Sequence, residues 1–173
     1  VDGGDTGGVD VIAGGRLVID AVTGVGNGAA IETTVASVDI DNATSGNIEI
    51  TETNAITVLK AVQGTAGNIT IAAGGTITVD NAGAGNAIAA AGTGTVTLDA
   101  NGAASDLLVN DGILSVNGAI TLTADNDVIF EATGDIASTT GAVSVRADAD
   151  GGGTSSGALT MANGTVINAG SGT

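Results

Sequence analysis

Carboxylates are the one chemically active group this sequence holds in quantity. Asp and Glu number 19 against three basic residues, Arg16, Lys60 and Arg146, for a net charge of −16. Three pairs stand one residue apart: Asp125 with Asp127, Asp148 with Asp150, and Asp39 with Asp41. Calcium takes roughly six to eight oxygen ligands, so closely spaced carboxylates are the pattern that would hold it. Asp125, Asp127, Asp148 and Asp150 are therefore the candidate ligands of a Ca2+ site. The competing reading of Asp in a glycine-rich chain is a corner or solvent residue, and on that reading the chain carries no cofactor.

Other chemistries fare worse. His and Cys are absent, which removes Ser-His and Cys-His nucleophile systems and most zinc sites. Glycoside hydrolysis needs two carboxylates at a set separation, but Trp and Tyr are absent and Phe130 is the one aromatic residue, so no platform exists for a sugar ring. A lyase needs a strong base near an acidic substrate, and Arg16, Lys60 and Arg146 fall in separate parts of the chain. An enzyme is not expected, and a polysaccharide-active one is the last alternative. The acidic balance excludes nucleic acid, whose phosphates require a basic surface. No apolar run approaches the ~18 residues of a membrane span, so membrane insertion is not expected.

The elements that carry these residues must be thin. Hydrophobic residues make up 43% of the chain, yet they are nearly all Ala, Val, Ile and Leu, and Gly contributes 30 residues. Such a chain lacks the aromatic bulk that fills a globular core. Gly costs about 1 kcal/mol relative to Ala within a helix, and it recurs too often for helices to persist. Abundant Val, Ile and Thr speak against disorder.

Repeats supply the organisation. Gly75-Thr-Ile-Thr-Val-Asp80 matches Gly94-Thr-Val-Thr-Leu-Asp99, and Gly118-Ala-Ile-Thr-Leu-Thr-Ala-Asp125 matches Gly141-Ala-Val-Ser-Val-Arg-Ala-Asp148. Taken with Gly15, Ala36, Asn54 and Gly164, these give eight strand starts spaced 18 to 24 residues apart. A second series precedes them, including Gly46-Asn-Ile-Glu-Ile50, Gly67-Asn-Ile-Thr-Ile71, Gly85-Asn-Ala-Ile88, Gly112-Ile-Leu-Ser-Val116, Gly134-Asp-Ile-Ala137 and Gly157-Ala-Leu-Thr-Met161. Apolar residues alternate within each strand, which places them on one face. Recurrence in the same order, not mirrored, favours parallel stacking over hairpins. The spacing predicts an all-β fold, a parallel β-solenoid of about eight rungs of 18–24 residues with two to three short strands per rung. Asn and Thr in register would form side-chain ladders. Asp20 with Asp41, and Asp80 with Asp99, would stack, so that salt stabilises the coil.

Blocks such as Gly67-Asn-Ile-Thr-Ile-Ala-Ala-Gly-Gly-Thr-Ile-Thr-Val79 resemble the filamentous-haemagglutinin type of repeat found in giant Gram-negative surface and adhesin proteins. The resemblance runs from Gly8 to Ala169. It implies a right-handed parallel β-helix, export to the cell surface and service as a stalk or adhesin shaft.

The chain starts and stops in mid-repeat. Residues 1–173 are thus expected to form a single β-solenoid segment, a piece of a longer repeat protein or a stacking subunit. Its partners would be adjoining repeats or copies of itself, end to end. The expected role is structural: an extracellular fibre or adhesin-stalk segment. The alternative is a calcium-stabilised module that binds a carbohydrate or ice surface, through stacked Thr such as Thr76, Thr78, Thr95 and Thr97.

Overall fold

The computed structural model of the chain describes residues 8–81, 83–151 and 157–172. Its strands wind into a coil, each turn laying a rung of parallel strands on the one before. The first rung is β1 (Val11–Ile12) and β2 (Arg16–Ala21), the second β3 (Ile31–Thr34) and β4 (Ser37–Asn42), the third β5 (Ile48–Glu52) and β6 (Ile56–Gln63). The fourth has three strands: β7 (Ile69–Ala73), β8 (Ile77–Val79) and β9 (Ile88–Ala90). So have the fifth, β10 (Val96–Ala100), β11 (Leu107–Val109) and β12 (Ile113–Ser115), and the sixth, β13 (Ile120–Ala124), β14 (Val128–Phe130) and β15 (Ile136–Ser138). The last holds β16 (Val143–Arg146), β17 (Leu159–Met161) and β18 (Ile167–Asn168). No helix occurs among the described residues. The protein is an all-β parallel β-solenoid.

The first face is a seven-stranded parallel sheet, β1-β3-β5-β7-β10-β13-β16, so the coil makes about six turns. The eight rungs expected from the spacing come close, and the difference has a physical cause. In the early rungs one long strand covers what later becomes two faces. The N-terminal half of β6 pairs with β8, Ile56↔Ile77 to Val58↔Val79, and its C-terminal half with β9, Ala61↔Ile88 to Gln63↔Ala90. From there each rung has a third corner, at residues 80–81 with 83–87, 110–112, 131–135 and 162–166. The repeat series therefore changes face at this step. Strand starts 15, 36, 54 and 75 lead into the second face, 94, 118 and 141 into the first, and 164 into the third. Gly94-Thr-Val-Thr-Leu98 stacks on Gly67-Asn-Ile-Thr-Ile71, not on Gly75-Thr-Ile-Thr-Val79. The apolar piece Leu107–Val109 takes the place over Ile77–Val79.

Like residues stack in the core. Ile40, Ala61, Ile88, Ile113 and Ile136 form one inward column, and Val38, Val58, Val79, Val109 and Phe130 another. All are essentially fully buried. A buried aliphatic side chain of this size contributes ~1.5–3 kcal/mol, and strands three to five residues long supply two or three of them each. This is why a chain almost without aromatics holds together: the core is thin and runs the length of the coil.

Candidate functional site

Three kinds of feature could act: the corners, the outward faces and the open edges of the end rungs. Glycines close the corner ahead of the first face. A Cβ on Gly118 would lie 2.1 Å from the carbonyl oxygen of Gly94, and one on Gly141 would lie 2.0 Å from that of Gly118. Backbone here meets backbone, leaving no room for a side chain. Next to this column runs a side-chain ladder. Asn27 Oδ1 accepts from the N–H of Asn47, Asn47 Oδ1 from that of Asn68, and Asn68 Oδ1 from that of Thr95, each at 3.0 Å. The Asn ladder expected from the repeat is thus present at this corner.

Acids do the same at the other corners. Asp106 Oδ1 accepts from the N–H of Asp127 at 3.1 Å and from Asn126 Nδ2 at 2.7 Å. Asp127 Oδ1 accepts from the N–H of Ala158 at 2.7 Å, and Asp135 Oδ1 from that of Val166 at 2.8 Å. Asp125 Oδ2 accepts from the N–H of Gly102 at 2.6 Å. Two of the four candidate calcium ligands, Asp125 and Asp127, therefore each hold a backbone amide of a neighbouring turn. Asp148 sits in the left-handed region at φ 54°, and its Oδ1 is shielded from solvent with no hydrogen-bond partner. Asp150 is exposed. Among the described residues no three His, Cys, Asp or Glu side chains gather in a geometry that could hold a metal ion.

Polar residues inside the coil were not singled out from the sequence, although the period of two places them there. Glu52 follows Ile48 and Ile50 at inward positions and is buried. Its Oε2 accepts from Thr33 Oγ1 at 2.7 Å and from the N–H of Val35 at 3.0 Å, and its Oε1 accepts from the N–H of Asn54 at 3.1 Å. Asn42, Gln63, Ser115 and Ser138 occupy one inward column at the end of the second and third faces. Asn42 Nδ2 donates to Gln63 Oε1. Ser115 Oγ donates to the Gly94 carbonyl at 2.7 Å, and Ser138 Oγ to that of Gly118 at 2.9 Å. Buried polar groups need such partners, and here they satisfy the backbone of the glycine corner.

The basic residues stay apart. Arg16 pairs with Asp39, Lys60 pairs with Asp41 at 2.5 Å, and Arg146 donates to the Ala149 carbonyl at 2.8 Å. Asp20 does stack on Asp41. Asp99 is flanked instead by Ala72 and Thr123, so the second acid pair expected from the repeat does not form. Thr78 likewise lies between Thr57 and Leu108, away from Thr97. A longer hydroxyl column takes its place: Thr70, Thr97, Thr121 and Ser144 stack in register on the outside of the first face.

The end rungs are the largest departure from a closed core. Among the described residues β1 and β2 have strand partners on one side only, as do β16, β17 and β18. Leu17 and Ile19 point inward yet are only half-buried, and Leu159 and Met161, stacked on Val128 and Phe130, are exposed. Unpaired strand edges of this kind are templates for another strand.

No protein-family model matches the chain, and no curated protein or solved structure matches it.

Proposed function

We propose that this chain is a structural segment of an extracellular fibre or adhesin stalk, extended by stacking rung on rung. The observation that carries the reading is the pair of end rungs, at which, among the described residues, the unpaired edges of parallel strands coincide with uncovered apolar residues. Adjoining repeats or another coil would bury both. The acidic exterior suits such a rod, since like charge opposes sideways association. The filamentous-haemagglutinin-type identity and a cell-surface location rest on the repeat residues quoted above, with which a parallel coil is consistent. Gold-labelled antibody against the chain, applied to intact cells of its source and to thin sections of them, is the test. Label on thin projections at the cell periphery is expected, and label confined to the cell interior overturns the proposal.

The hydroxyl column of Thr70, Thr97, Thr121 and Ser144 favours a second reading, a flat surface for carbohydrate or ice. Outward Thr is also simply a good strand residue. Thermal hysteresis or glycan binding that is lost in Thr97→Lys supports this reading, and neither activity in the parent chain dismisses it.

A further inference from the structure

We infer that this coil joins two cross-sections and that copies of it do not polymerise head to tail. The open edge of the first rung takes a two-strand rung with an unbent second strand. The open edge of the last takes a three-strand rung. The inference rests on the fibre reading and specifies its partners.

The evidence is how the coil changes width within itself. β2 and β4 pair over all six residues without interruption, from Arg16↔Ser37 to Ala21↔Asn42. Neither strand carries an extra residue against the other, and their inward residues Leu17 and Ile19, or Val38 and Ile40, stand two apart. The next strand, β6, cannot match both neighbours without an adjustment. Its register against β4 shifts between Val38 and Asp39, which pair with Val58 and Lys60, leaving Leu59 as an extra residue. An extra residue of this kind bends the strand that carries it. The bend lets β6 follow two faces at once and receive β8 on one half and β9 on the other.

The last rung ends in that split form, with β17 and β18 separated by the corner at residues 162–166. A second copy laid head to tail would set its β2 against both strands. β2 has no residue equivalent to Leu59, so it can follow β17 or β18 but not both. Half of its edge would then face a corner with backbone N–H and C=O groups unpaired, a condition folded proteins avoid. A second β1–β2 rung laid on the first meets no such obstacle, because it repeats the contact β2 already makes with β4.

Two variants of the full chain decide the matter. In one, residues 8–29 are duplicated in place, which lays a further two-strand rung on the open edge of β2. In the other, two full chains are joined directly in tandem. Thermal unfolding is followed by circular dichroism, and the parent chain is examined by electron microscopy. The duplication is expected to raise Tm by about 3 °C or more, the tandem to melt at the parent temperature, and the parent to give short rods of one length. A tandem that gains as much as the duplication, or long filaments of the parent chain, would overturn the inference while leaving the fibre reading intact. If the duplication also leaves Tm unchanged, stacking at the open edges fails, and the fibre reading falls with it.

Discussion

Gly118 and Gly15 both stand one or two residues ahead of a strand, yet they answer to different physics. An added Cβ at Gly118 meets the Gly94 carbonyl oxygen at 2.1 Å, whereas nothing lies within 4 Å of one at Gly15. Gly118→Ala forces two backbone segments apart and is expected to lower stability by roughly 1–3 kcal/mol. Gly15→Ala is expected to be neutral or mildly stabilising, through its effect on the unfolded chain. Urea unfolding of the two variants checks the contrast. The importance of Gly at strand starts was legible in the repeat, but which glycines are indispensable was not, since that depends on what the preceding turn puts beside each one. Glu52 gives the converse case. Its parity with Ile48 and Ile50 marks it as inward, yet an acid invites a solvent assignment. Glu52→Ala would leave the buried amide of Val35 and the half-buried one of Asn54 without their acceptor, and the Thr33 hydroxyl with only the Thr51 carbonyl at 3.5 Å. A loss of at least about 2 kcal/mol is expected, read from the same unfolding curves.

At the scale of elements, alternation and parallel stacking were readable because both depend on local residue order. The face each strand joins was not. Gly75-Thr-Ile-Thr-Val79 and Gly94-Thr-Val-Thr-Leu98 are near copies that lie on different faces, because the split of β6 inserts a third strand between them. Similarity of sequence reports similarity of environment, inward apolar and outward Thr, which every face of a solenoid shares. Ladders tie the elements together across turns. Asn47 is a central member: its Oδ1 holds the Asn68 amide and its Nδ2 donates to Glu49 Oε1 at 2.8 Å. Asn47→Ala is expected to lower stability by about 1 kcal/mol and to speed amide exchange at Asn68 first. Hydrogen exchange followed by NMR reads both.

For the whole molecule, acids are distributed along the corners as backbone acceptors more than they are gathered into a site. Asp125 and Asp127, the first pair of candidate calcium ligands, each commit one oxygen to the backbone of a neighbouring turn. Melting in calcium and in chelator is therefore expected to give the same Tm, and a clear rise with calcium would restore Asp125, Asp127, Asp148 and Asp150 as ligands. The stacking defines the fold, with Thr70 beside Thr97 and Thr78 one face away. The chain has no cysteine, so paired substitutions report it cleanly. Residues in register on adjacent strands stand about 4.8 Å apart, within the separation of roughly 4.4–6.8 Å that a disulfide spans. Mild oxidation is expected to close an intramolecular disulfide in Thr70→Cys/Thr97→Cys and none in Thr78→Cys/Thr97→Cys. Closure in the second pair and not the first would contradict the account.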